Sequence, residues 1–253
     1  MDLGLKDKVA LVTGAGSQIG FGKGIALTLA REGCDVIVAD INLEGAKKTA
    51  AEIEALGRKS MALKADVASS AEVNDMVKQA LKKFGRIDIL VNNAGAISSL
   101  KTFDEKPESE WDRDINLNFR GVMNCSKAVL PQMVSRKSGK IVNISSIGAG
   151  KGLPHAAVYN AAKAAVVNFT KGMGVQVAPS GINVNAVAPG LGLTAFGGGT
   201  PPADMVEKAI ARIPVGRSTT PEDIGNLVTF LASDAASDIV GQNIGVDGGE
   251  SVL

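Results

Sequence analysis

Hydrophobic positions along this chain fall into short runs, and the runs are separated by longer segments with helical spacing. The runs are Lys8–Thr13 (KVALVT), Cys34–Asp40 (CDVIVAD), Lys59–Asp66 (KSMALKAD), Ile87–Asn92 (IDILVN), Lys140–Ser145 (KIVNIS), Ile182–Ala188 (INVNAVA) and Gln242–Asp247 (QNIGVD). Several are apolar nearly throughout, as strands covered on both faces should be. Between them, Gly22–Glu32, Leu43–Gly57 and Ala71–Phe84 carry the helix period. Strict alternation of seven strands with helices predicts an α/β fold, a doubly wound parallel sheet with helices on both faces. Pro131 falls inside a long helical pattern, where its ring and missing amide predict a kink or an end. Leu191–Pro202 (LGLTAFGGGTPP) reads as a loop, and Ala203–Arg212 after it as a short helix. No linker or repeat divides the chain, so residues 1–253 read as one domain with a flexible flap at 191–212.

Composition narrows this picture. Hydrophobic residues make up 45% of the 253 positions and aromatics 4%, so aliphatic side chains must fill the core. The 27 basic and 26 acidic residues leave a net charge of +1, which gives no electrostatic reason for a nucleic-acid or membrane partner. The first residues, MDLGLKDK, lack a signal-like apolar stretch, and no run approaches the roughly 20 apolar residues of a bilayer span. Cys34 and Cys125 lie far apart and read as buried reduced thiols, which suits a cytoplasmic location. With one histidine and no Cys/His cluster, no metal site is expected.

The candidate chemistry begins where the first strand ends. Thr13-Gly14-Ala15-Gly16-Ser17-Gln18-Ile19-Gly20-Phe21-Gly22 leads straight into a helical segment. A strand, a glycine-rich turn and a helix start form a pyrophosphate cradle, because glycines let backbone approach and the helix N-terminus offers free N–H groups. Asp40 ends the second strand, 18 residues after Gly22, with Ile41 and Asn42 rather than a cation behind it. A carboxylate there suits the ribose hydroxyls of NAD and repels the 2′-phosphate of NADP, so NAD is preferred. Farther on, Tyr159 and Lys163 stand four apart in an alanine-rich helical segment, on one helix face. Tyr159 is the only tyrosine. A neighbouring ammonium favours phenolate and should lower the phenol pKa. Ser146 closes the fifth strand, 13 residues before Tyr159, with a hydroxyl able to bond a substrate oxygen.

Taken together these pieces resemble the short-chain dehydrogenase/reductase family over essentially the whole chain. The matching motifs occur in family order: Thr13-Gly14, Asp66-Val67, Asn92-Asn93-Ala94-Gly95, Asn118, Ser146, Tyr159-x3-Lys163, Pro189-Gly190 and Val246-Asp247-Gly248-Gly249. The resemblance implies a Rossmann-type domain that moves a hydride between nicotinamide and a secondary alcohol or ketone. Tyr159 would be the general acid in reduction and base in oxidation. Lys163 would bind the nicotinamide ribose, Ser146 would hold the substrate oxygen, and Asn118 would keep a water in the proton relay, with Asn116 its competitor. Cofactor contacts would come from Gly14, Gly16, Ser17, Gly20, Phe21, Gly22, Asp40 and Ile41, then Asp66 and Val67 beside adenine. Asn92, Ala94 and Gly95 would line the ribose, with Pro189, Gly190, Leu193 and Thr194 at the nicotinamide end. A flap closing with Leu191, Leu193, Phe196 and Met205 would give a nonpolar substrate pocket. Family members are commonly tetramers, which implies a homotetramer here through helices near 107–134 and 156–178.

Three features depart from the family pattern. The first turn is two residues longer than usual, which leaves open whether Gly14 or Gly16 touches phosphate. Divergent enoyl reductases share such a turn but place their tyrosine seven before the lysine, and that position is Ala156 here. Carrier-protein 3-oxoacyl reductases, the alternative function, tend to carry a basic residue where this chain has Ser180 before Gly181. A non-catalytic nucleotide-binding regulator is a further reading, and intact Ser146, Tyr159 and Lys163 argue against it. His155 reads as a loop or helix-start residue and Trp111 as packing.

Overall fold

The computed structural model describes residues 2–194 and 203–252. The seven strands are β1 (Val9–Thr13), β2 (Asp35–Asp40), β3 (Ser60–Lys64), β4 (Ile89–Asn92), β5 (Gly139–Ile144), β6 (Ile182–Pro189) and β7 (Asn243–Val246). All pair in parallel in the order β3-β2-β1-β4-β5-β6-β7. The order reverses between β1 and β4, which opens a crevice beyond the carboxyl ends of the strands. The helices are α1 (Phe21–Arg31), α2 (Leu43–Ala55), α3 (Ser70–Phe84), α4 (Glu108–Ile115), α5 (Gly121–Arg136), α6 (Gly148–Lys151), α7 (Ala157–Val177), α8 (Ala203–Ile210) and α9 (Pro221–Leu231).

Both sheet faces are covered, as the apolar runs predict. Ala10, Val12, Val36 and Val38 pack with Ile25, Leu29 and Val228 on one side. Leu11, Ile37 and Leu90 pack with Met76, Val129 and Met133 on the other. Cys34 and Cys125 are free and buried in opposite layers, and burial pushes both thiols up to about 12, which makes them inert.

Two expectations change. Pro131 lies inside α5 without ending it. Its position is exposed, so water can solvate the carbonyl it strips of a partner, and the chain leaves the helix only at Lys137, φ 51°. The long helix before β5 is also interrupted, because Asn116–Arg120 form a π-helical turn between α4 and α5. In the predicted flap, Ala203–Ile210 is helical and residues 195–202, including Phe196 and the three glycines, lie outside the described residues.

Candidate active site

The lengthened turn between β1 and α1 is braced from below. Asp40 Oδ2 accepts the Gly16 N–H at 2.7 Å, Thr49 Oγ1 donates to the Ala15 carbonyl at 2.8 Å, and Gln18 Nε2 donates to the Gly16 carbonyl at 2.9 Å. These bonds turn Gly16 toward α2 and away from the crevice. Gly14 lines the crevice instead, with φ +66°, and a Cβ there would sit 2.7 Å from the Ala94 backbone. Asn93 ties this approach together, its Nδ2 donating to the Thr13 and Gly14 carbonyls at 2.9 and 3.0 Å. The Thr13 hydroxyl accepts the Asn93 and Ala94 amides at 3.1 Å each. The α1 N-terminus at Gly20 has no side-chain cap, and Gly20, Phe21 and Gly22 line the crevice together with Ser17, so its first amides remain available to a ligand.

One cleft of about 700 Å³ runs from this turn to β6. At one end stand Asp40, Ile41, Asp66 and Val67, and at the other Ser146, Tyr159, Lys163, Pro189, Gly190 and Thr194. Asp40 also accepts the Asn42 N–H at 2.8 Å through Oδ1. A carboxylate has about four lone-pair sites, so acceptor capacity toward the cleft remains. The residues therefore fit a dinucleotide lying along the cleft.

At the far end, Tyr159 is buried and hydrogen-bonded to Ser146, whose Oγ accepts the Gly148 N–H at 3.0 Å. Lys163, one turn on, is 3% exposed; its Nζ donates to the Ile144 carbonyl at 2.8 Å and lies 5.7 Å from the Tyr159 ring centre. Burial pushes the phenol up to about 12, against the Ser146 hydrogen bond that pulls it down. Burial also lowers the Lys163 ammonium to about 8. Both directions follow from desolvation, which opposes the charged form of each group; the lowering expected of the phenol counted on the Lys163 ammonium together with a bound nicotinamide cation.

Asn118 sits on the π-helical turn, fully buried behind Gly95. Its Nδ2 donates to the Ala96 and Asp114 carbonyls at 2.7 and 2.8 Å. Its Oδ1 has no partner among the described residues, and a Cβ on Gly95 would lie 2.7 Å from that oxygen and 3.2 Å from Lys163 Nζ. An orphan acceptor beside an ammonium is a place where a bridging water fits. Asn116, the competitor, lines the cleft but bonds Arg120.

Four candidate residues do not line the cleft: Gly16, Asn92, Leu193 and Asn118. Asn92 serves the core, its Nδ2 donating to Ser126 and Asn143, because a strand residue at a sheet centre points into a helix layer. Leu193 is 48% exposed and Met205 60%, so of the expected apolar flap contacts in the described residues only Leu191 lines the cleft. Sequence reasoning missed Arg113 on α4, Leu153 in the loop before α7 and Glu250 near the C-terminus, which also line it. Glu250 Oε2 accepts the Leu191 N–H at 3.1 Å, a contact that no local pattern announces.

Fold and site together define a nicotinamide-type dehydrogenase or reductase architecture. A family model described as enoyl-(acyl carrier protein) reductase matches residues 14–251. The chain is 43% identical over 247 residues to the 3-oxoacyl-(acyl-carrier-protein) reductase of Staphylococcus epidermidis, covering 96% of this chain and 98% of that one. It is 40% identical over 254 residues to a hydroxy(phenyl)methylsuccinyl-CoA dehydrogenase subunit of Thauera aromatica, covering 99% of each. The crystal structure of the 3-ketoacyl-(acyl-carrier-protein) reductase of Brucella melitensis complexed with NADH superposes with a TM-score of 0.88 at 38% identity, over 98% of this chain and 99% of that one. The chain belongs to the short-chain dehydrogenase/reductase family of oxidoreductases. Among the described residues, no helix is long and apolar enough to cross a membrane.

Proposed function

We propose that this protein reduces the ketone of a 3-oxoacyl thioester, using NADH in preference to NADPH. The observation that carries this reading is the buried Ser146–Tyr159–Lys163 group at one end of a cleft whose other end presents Asp40. The chain's similarity to a 3-oxoacyl reductase and to an acyl-CoA dehydrogenase subunit supports the thioester class. Bound nicotinamide supplies the hydride. The chain's own residues do the rest. Ser146 Oγ bonds the substrate carbonyl oxygen and orients it. Tyr159, held neutral by burial, donates its proton to that oxygen as charge develops there. Lys163 holds the ribose, and Asn118 Oδ1 with the Lys163 ammonium anchors the water that returns the proton. Gly14, Ser17 and the first amides of α1 cradle the pyrophosphate, and Asp66 and Val67 border the adenine.

The broader reading, a dehydrogenase of free alcohols and ketones, is favoured by one feature. Ser180 stands where a basic residue would attract an acidic carrier protein. A panel separates the two: NADH oxidation with a 3-oxoacyl carrier-protein thioester, the matching CoA thioester, and simple ketones. Turnover should be fastest on a thioester, slower with NADPH, and the cofactor gap should narrow in Asp40→Ala. Efficient reduction of simple ketones with negligible thioester turnover would refute the thioester reading.

A further inference from the structure

A second ionic group lies beside the proton-transfer site and has no part in the mechanism above. Lys106 and Asp114 are 5% and 1% exposed, and Lys106 Nζ lies 2.8 Å from Asp114 Oδ2. Buried pairs in water-poor interiors are costly and need full hydrogen bonding. Here one carboxylate oxygen is fully used, while the other, Oδ2, faces the Lys106 ammonium at ion-pair distance without a hydrogen bond among the described residues. Asp114 Oδ1 accepts the Ser98 N–H at 2.8 Å and the Ser98 hydroxyl at 2.7 Å. Lys106 Nζ donates to the Ser99 carbonyl at 3.0 Å and lies 3.8 Å from Glu110 Oε2. The pair therefore ties the loop that leaves Gly95 to α4. The Asp114 carbonyl, one turn before Asn118 in the helical ladder, receives the Asn118 side chain. Helix α4 packs directly against α7, which carries Tyr159.

We propose that the Lys106–Asp114 pair is a positioning device for the proton-transfer site: it fixes the loop and turn that hold Asn118, and it sets the charge Tyr159 meets from α4. The inference rests on the reading of Tyr159 as proton donor. The ionisable side chains on the elements packed against α7 are Glu108, Glu110, Asp112, Arg113 and Asp114 on α4, Arg120 on the π-helical turn, Lys151 on α6, none on β6, and Lys163 and Lys171 on α7 itself; His155 precedes the helix. Of these, only Asp114 and Lys163 are buried. Burial is the main opponent of Tyr159 ionisation and the Asp114 carboxylate adds to it; the Lys106 ammonium, 2.8 Å from that carboxylate, offsets its charge.

Tyr159 is the only tyrosine, so tyrosinate absorbance reads it alone and without turnover. The titration is run by rapid pH jump on the full chain with NAD bound, and circular dichroism verifies that each variant is folded. Asp114→Asn keeps the shape and leaves Lys106 charged, so the Tyr159 midpoint should fall by roughly 0.5 pH unit or more. Lys106→Met should raise it, and Lys106→Arg should restore the wild-type value. The proposal is overturned if the Asp114→Asn midpoint coincides with or exceeds that of the wild type, the result expected of a merely structural tie. Because the readout needs no substrate, that failure is distinct from a failure of the thioester-reductase reading, which would show as absent turnover with the Asp114→Asn shift intact.

Discussion

Lys163 is a buried cation whose ammonium donates to a main-chain carbonyl, with no carboxylate paired to it among the described residues, and this has a consequence for stability. Its folded pKa is lowered from 10.5 to about 8 by burial. The unfolded chain therefore binds the proton more tightly, and this group's contribution to stability rises with pH through that window and is lost as pH falls through about 8. Lys163→Met removes the penalty. The variant should be more stable than wild type at neutral pH by about 2 kcal/mol, after allowing for the lost bond to Ile144. The difference should shrink as the pH is raised toward about 10, which urea melts at two pH values can measure. An equal or reversed difference would show that the ammonium is not held at a cost. The residues of the candidate site were legible to unequal degrees. Tyr159, Lys163 and Ser146 announce themselves because helix spacing and a strand end fix their relation locally. Arg113, Leu153 and Glu250 do not: no family motif contains them, and Glu250 is tied to the cleft by the Leu191 N–H, 59 residues away in the chain.

At the scale of elements, the strands were legible because doubly covered strands are apolar on both faces, and their bounds shift by at most two residues at either end. The π-helical turn was not, since one extra residue in a helical ladder barely alters the hydrophobic period. Nor was the geometry of the first turn: that Gly14 and not Gly16 lines the cleft depends on Asp40 and Thr49 reaching up from β2 and α2. Gly14→Ala tests this element. The added methyl would meet the Ala94 backbone at 2.7 Å with φ at +66°. We expect a loss of about 1–3 kcal/mol in stability and weakened dinucleotide binding, measured by urea melts and NADH fluorescence. A Gly16→Ala variant that weakened NADH binding more than Gly14→Ala would reverse the assignment.

The whole molecule presents apolar surface that its own fold leaves uncovered. Ile115 on α4 is 44% exposed, Val134 on α5 41% and Val175 on α7 75%, and Ala161 on α7 is exposed as well. These lie on the helices expected to assemble subunits, and an assembly of four copies would cover them. Light scattering at micromolar concentration should give a tetramer mass, and a monomer would refute that expectation. The doubly wound sheet gathers the candidate residues at the carboxyl ends of its strands, where the glycine-rich turn, Asp40 and Tyr159 all line one cleft. The central claim is that Tyr159 transfers the proton there. The direct measurement is 3-oxoacyl thioester reduction by Tyr159→Phe, with NADH affinity measured on the same sample. NADH should bind as in wild type while turnover falls roughly 100-fold or more. Retention of more than a few per cent of wild-type turnover would contradict the account.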